Sequence, residues 1–177
     1  ALNTNLILLN STSSRFQEGL GNDNGLLGKY VAFHNYRARM YGEYEGYADK
    51  HTTGREPTSA YLPRFRNVEK QETDFLRGYA SGFGATRQII QDDSGFGSSL
   101  KDGLLNPKYG VWQVGSHMMG ETIPKKENQV SLDTAKVDVW GIPLLKIDIA
   151  YDDNDEKMVK DYHEQFKQMF EQAGFTN

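Results

Sequence analysis

Four histidines have the widest chemical repertoire in this sequence, because imidazole serves as a metal ligand and as a general acid or base near neutral pH. They are His34, His51, His117 and His163. They lie far apart in the chain, so a metal site would require the assembly of distant residues, and we expect none. His163 falls between the apolar positions of a predicted helix, where a solvated side chain is the simplest expectation.

His117 differs from the other histidines because it lies in an apolar stretch that is predicted to be a strand. Side chains alternate along a strand, so Gln113 shares the face of His117. This polar pair could line a pocket that binds a substrate. A hydrogen-bonded histidine within the core is the alternative, and the residue types alone leave both interpretations open.

Two groups of acidic residues resemble catalytic or metal-binding sites, but helix capping and solvent exposure explain them better. The run Asp152–Glu156 lacks the glycine and the glutamate that a calcium loop has at its sixth and twelfth positions, so helix capping is the better explanation. Glu43 and Glu45 share one strand face, whereas glycosidase carboxylates face each other across a sugar ring. We therefore expect both glutamates to be solvated.

Glycines follow the first apolar run at positions 19, 21, 25 and 28. Their spacing is not the G-x-G-x-x-G of dinucleotide-binding loops, and they lie well beyond the end of that run, so they predict turns. The sequence also contains no Walker loop and no G-x-S-x-G elbow.

Composition excludes further classes of site. The 177 residues carry a net charge of -4 and no cysteine, which rules out disulfides, a thiolate nucleophile and cysteine-ligated zinc or iron–sulfur clusters. The mixed charges form no basic stripe, so we expect no nucleic-acid partner. The longest aliphatic run, Leu6–Leu9, is far shorter than the ~20 residues of a membrane span, so we expect none.

The elements that must position these residues are mostly strands. Strands are predicted at Leu6–Leu9, Tyr36–Tyr47, Ser59–Phe65, Phe75–Ile90, Tyr109–Met119, Asn128–Asp133 and Leu144–Tyr151. A short helix is predicted at Gly97–Leu105, and apolar residues at helical spacing from Met158 to Ala173 predict a final helix. The expected fold class is α+β, with a mainly antiparallel sheet and helices packed on one face.

Two stretches resemble glucose–methanol–choline (GMC) flavin oxidoreductases. Residues 5–11 and 19–28, followed by His34, resemble the segment in which that family's chain leaves the FAD domain for the substrate domain. Residues 120–143 are similar to a strand and turn of the substrate domain in the branch of pyranose oxidases and sugar dehydrogenases. Residues 48 to 108 carry little of the resemblance.

The resemblance implies a division into residues 1–28, at the edge of an FAD domain, and residues 29–177, a substrate-binding domain that lies over the flavin. The parent protein would use FAD to oxidise a CH–OH group of a sugar, polyol or related alcohol. His117 and Gln113 would contact the substrate, although pyranose oxidases carry arginine at the position of His117. His34 would lie near the cofactor.

The family's flavin motif and catalytic histidine have no counterpart in this sequence, so we expect no catalytic residue here and an inactive isolated chain. The start at Ala1 and the end after Gly174 suggest an excised segment. The rest of the flavoprotein would then be a partner, and an exposed sheet face would favour self-association. A stand-alone ligand-binding or protein-interaction module and a purely structural domain are the alternatives.

Overall fold

The computed structural model describes residues 2–50, 59–90 and 94–176. The helices are α1 (Leu2–Asn10), α2 (Ser98–Leu105) and α3 (Asp153–Gln172). The strands are β1 (His34–Asn35), β2 (Arg39–Tyr44), β3 (Ser59–Leu62), β4 (Tyr79–Ile90), β5 (Lys108–Glu121), β6 (Gln129–Val137) and β7 (Pro143–Asp148). The predicted α+β class with mainly antiparallel strands is confirmed.

The chain divides into two compact units. Residues 35–120 and 154–177 form the sheet unit, and residues 1–34 and 121–153 form the hairpin unit. The division at residue 28 that the resemblance implies stays a prediction. None of the helices in the described ranges combines the length and apolarity needed to cross a bilayer.

The sheet unit is organised around the long strand β5. Strand β2 pairs with one edge of β5 and β4 with the other, and β3 pairs with the outer edge of β4, all antiparallel. Alternation along β2 buries Ala38, just before the strand, and Gly42, whereas Arg39 and Tyr41 are exposed. The sheet therefore has one buried face and one open face.

Helix α3 covers the buried face with a stripe of apolar side chains. Met158, Tyr162, Phe166 and Phe170 recur at helical spacing and are buried. The Phe166 ring lies 3.9 Å from that of Tyr162 and 5.5 Å from that of Phe83, centroid to centroid. The predicted final helix is thus confirmed, and burial of its aromatic stripe stabilises this unit.

Hydrogen bonds pair the tyrosine and serine hydroxyl groups that this packing buries. The Tyr162 hydroxyl donates to Oγ of Ser116 at 2.9 Å and lies 3.1 Å from Oγ of Ser81. Ser81 in turn donates to the carbonyl oxygen of His117 at 3.0 Å, which ties the helix to the β4–β5 pair. Nearby, the Tyr79 hydroxyl donates to Asp161 at 2.6 Å.

These contacts predict a loss of stability at alkaline pH. Burial, together with the bond to the Asp161 carboxylate, raises the pKa of Tyr79 above its ordinary value of 10.0, and burial raises that of Tyr162. The folded state therefore retains protons that the unfolded state releases above pH about 10, so the free energy of unfolding falls as pH rises further. Each tyrosine contributes a slope of up to about 1.4 kcal/mol per pH unit.

Urea unfolding between about pH 9 and 11 measures this slope. We expect a shallower slope in Tyr79→Phe than in the unchanged chain, because that variant has one ionisable hydroxyl fewer. Equal slopes in the two proteins would show that Tyr79 is not responsible.

The hairpin unit contains β6 and β7, which pair antiparallel, and α1, which packs on both strands. Gly28 lies against β6, where its carbonyl oxygen accepts a bond from the Val130 amide at 2.7 Å. A Cβ at Gly28 would lie 2.1 Å from the Val130 oxygen, and φ is +79°, so glycine is required there. The glycine-rich segment thus forms turns, as predicted.

The predicted strand at Leu6–Leu9 is wrong, because these residues lie in helix α1. A run of four apolar residues suits a buried strand and a helix equally well, and its periodicity cannot distinguish them. Polar residues at the end of the run favour the helix. Nδ2 of Asn10 donates to the carbonyl oxygen of Leu6 at 2.9 Å, and Oγ of Ser11 donates to that of Ile7 at 2.7 Å.

Candidate functional site

The open face of the sheet unit contains a concavity of about 820 Å³, which we call the open-face concavity. Strands β2, β4 and β5 form its floor. The register gives three cross-strand rows. The arginine row is Arg39, His117 and Gly82. The glycine row is Tyr41, Gly115 and Gly84. The amide row is Glu43, Gln113 and Thr86.

The arginine row and the glycine row contain three glycines, Gly82, Gly84 and Gly115, and rings cover two of them. A Cβ at Gly82 would lie 2.5 Å from Cε1 of His117, so the imidazole lies over that glycine. A Cβ at Gly115 would lie 3.2 Å from the Tyr41 ring, which covers it in the same way. At Gly84 a Cβ would have no neighbour within 4 Å. The open-face concavity therefore has a bare patch at Gly84 with two rings near it.

His117 lies on the open face, half-buried, which excludes the interpretation as a core histidine. Its ring stacks with that of Tyr36 at 6.2 Å between centroids and an interplanar angle of 28°. Its carbonyl oxygen is held from below by Ser81. Because Ser81 holds the His117 backbone and Tyr36 stacks on its ring, the imidazole is well positioned for a ligand on the floor of the concavity.

Gln113 lines the same concavity, as its predicted place on the face of His117 requires. Its Nε2 donates to Oε1 of Glu43 across the strands at 3.4 Å. An amide next to a carboxylate supplies both donors and acceptors, which suits hydroxyl groups. The contact of Gln113 and His117 with a substrate stays a prediction.

The other histidines lie elsewhere. His34 is exposed on β1 in the hairpin unit and is not among the residues lining the open-face concavity, so its role near a cofactor stays a prediction. His163 is exposed on α3, as expected. His51 lies outside the described residues. In the ranges that the structure describes, no three histidine or acidic side chains are grouped as metal ligands.

The sequence did not identify Arg39, Tyr41 and Glu43 as site residues, although strand alternation places them together on the outer face of β2. The missing information was their pairing with β5, more than 60 residues further along the chain. Although the backbone of Arg39 pairs with β5, its side chain has neither a hydrogen bond nor an ion pair to any described residue. Its guanidinium is therefore available to a ligand.

The chemistry of this arrangement is binding and orientation. Ser116, the hydroxyl nearest to His117 in sequence, is buried on the opposite face, and its Oγ lies 3.4 Å from the carbonyl oxygen of Met40. No serine–histidine pair thus forms there. The rows supply a cation, hydrogen-bonding groups and the exposed Tyr41 ring, which together can hold a polar, hydroxyl-rich ligand.

Comparison with known proteins gives one informative similarity. No family model matches the chain. The chain is 29% identical over 174 residues to a 2-methyl-1,2-propanediol dehydrogenase from Mycolicibacterium austroafricanum. The match covers 87% of this chain and 29% of that protein, so the chain spans less than a third of the length of its curated relative. This similarity suggests an oxidoreductase, and the GMC resemblance stays a prediction.

Proposed function

We propose that this chain is the substrate-binding part of an FAD-dependent oxidoreductase that oxidises a CH–OH group of a sugar, polyol or related alcohol. The observation that carries the proposal is the open-face concavity, whose bare floor at Gly84 lies beside the amide row. Similarity to an enzyme named as a diol dehydrogenase supports an alcohol as the substrate.

The open face fits one side of a planar ring system. Gly84 carries no Cβ, and no atom lies within 4 Å of the place where one would be, so a flat group can approach the backbone closely there. In the glycine-rich segment, Gly19 and Gly28 are packed against the backbone of Leu8 and Val130, and the segment lacks the G-x-G-x-x-G spacing that holds the phosphates of a dinucleotide. We therefore place the residues that would hold the dinucleotide outside this chain. When bound, a flavin would supply the hydride acceptor.

The residues of this chain would orient the alcohol. Gln113 and Glu43 offer donors and acceptors to its hydroxyl groups, and Tyr41, with 62% of its surface exposed, offers a ring face for carbon-bound hydrogens. Such contacts determine which carbon faces the hydride acceptor. They remove no hydride by themselves, so we predict that the isolated chain is inactive.

Anaerobic flavin reduction tests the proposal. The longer protein that contains this chain should bind FAD, and its flavin absorbance should bleach when a polyol is added. The 177-residue chain alone should show no turnover with an artificial electron acceptor. Turnover by the chain alone, or a longer protein without flavin, would contradict the proposal. Polyol binding by a protein that carries no flavin would favour a stand-alone binding module.

A further inference from the structure

We propose that Arg39 and His117 form a subsite for an oxyanion, and that the ligand of the open-face concavity is a sugar acid. Its carboxylate would bind at the arginine row and its hydroxyls at the amide row. This inference rests on the proposed function, because it names the substrate class of the same site.

The first argument is the uncompensated charge of Arg39. Arg37, two residues earlier, donates to Oε1 of Glu156 at 2.6 Å, and Arg66 forms two bonds to the Asp161 carboxylate at 2.8 and 2.9 Å. Arg39 has no such partner among the described residues, although it lines the concavity. A guanidinium in this position can bind a carboxylate through two parallel hydrogen bonds.

The second argument is the distribution of charge over the open face. The acid that shares the β2 face of the concavity with Arg39 is Glu43, four residues along the strand. The two Cα atoms are about 13 Å apart at strand spacing, too far for a close ion pair. Among the described residues that line the concavity, the end at Arg39 therefore carries a cation and no acid, and the amide row at the other end supplies hydroxyl-binding groups.

The third argument is the position of His117. It lies directly opposite Arg39, and its ring is held between Gly82 and Tyr36. An imidazole N–H beside a guanidinium gives an oxyanion a second donor at a different angle. A ligand with a carboxylate at one end and hydroxyls along its carbon chain matches both ends of the concavity, whereas a neutral polyol matches one.

Calorimetric titration of the longer protein with D-gluconate and D-glucitol tests the inference. The two ligands have the same number of carbons and differ in the carboxylate. We expect the unchanged protein to bind D-gluconate at least about tenfold more tightly, and Arg39→Gln to lose this preference. Lys101→Gln removes one exposed positive charge from α2 and should keep it. Arg39→Lys should retain part of the preference for D-gluconate, because a lysine keeps the charge but cannot form two parallel hydrogen bonds.

The inference would be overturned if the two ligands bound with equal affinity or if neither bound. It would also be overturned if Arg39→Gln and Lys101→Gln lost the preference for D-gluconate to the same extent. Tighter binding of D-glucose 6-phosphate than of D-gluconate would assign the oxyanion subsite to a phosphate and overturn the assignment of a sugar acid.

The proposed function is judged separately, by flavin reduction. If only the inference fails, a neutral alcohol still reduces the flavin. If only the proposed function fails, the binding preference persists without reduction.

Discussion

Replacing Gly84 by valine should lower the rate of alcohol oxidation by the longer protein at least about 100-fold while the chain remains folded. Gly84 lies at the bare part of the floor of the open-face concavity, and a Cβ there would meet no atom within 4 Å. The valine side chain can therefore be accommodated by the fold, and β-branched residues favour strands. It would project from the floor into the space that we assign to ligand and flavin.

Kinetic constants and the temperature of unfolding, measured on the same samples, check this prediction. The matched control is Gln88→Val, which places the same side chain at an exposed position of β4 that does not line the concavity. We expect control activity within about twofold of the unchanged protein, because surface substitutions away from a site have small effects. A Gly84→Val protein with normal activity would show that the open face does not contact the reacting groups.

The fold could be predicted from the sequence where the information is local. The stripe from Met158 to Phe170 repeats at helical spacing, and alternation along β2 identifies its buried and exposed faces. Leu6–Leu9 has neither pattern, and the contacts of its helix with β6 and β7 are not visible in the sequence. Local periodicity predicts an element only where one face of that element is buried.

The candidate site was predicted in part. Gln113 and His117 are four residues apart on one strand, and side chains alternate with a period of two, so their shared face follows from the sequence alone. Arg39 comes from another strand, and it meets His117 through a register between residues separated by 78 positions. A shift of that register by one residue would move Arg39 to the buried face. Cross-strand pairing therefore completes the site, and single-sequence patterns do not give it.

The substitution with the largest expected effect on stability is Phe166→Ala. Phe166 has no exposed surface, and it contacts the rings of Tyr162 and Phe83 on opposite sides of the helix–sheet interface. Truncation would leave a cavity between α3 and the sheet. Losses of about 3–5 kcal/mol are typical for a buried phenylalanine. We expect the free energy of unfolding of the 177-residue chain to fall by that amount in urea titrations.

Gln168→Ala, at an exposed position two residues further along α3, is the control, and we expect it to change the free energy of unfolding by less than about 0.5 kcal/mol. A loss below about 1 kcal/mol in Phe166→Ala would contradict the packing described here.

The loss of packing at Phe166 should also affect the open-face concavity. Tyr162, which stacks on Phe166, is linked through Ser81 to the carbonyl oxygen of His117. Looser packing of the helix should therefore weaken ligand binding on the opposite face of the sheet before the chain unfolds.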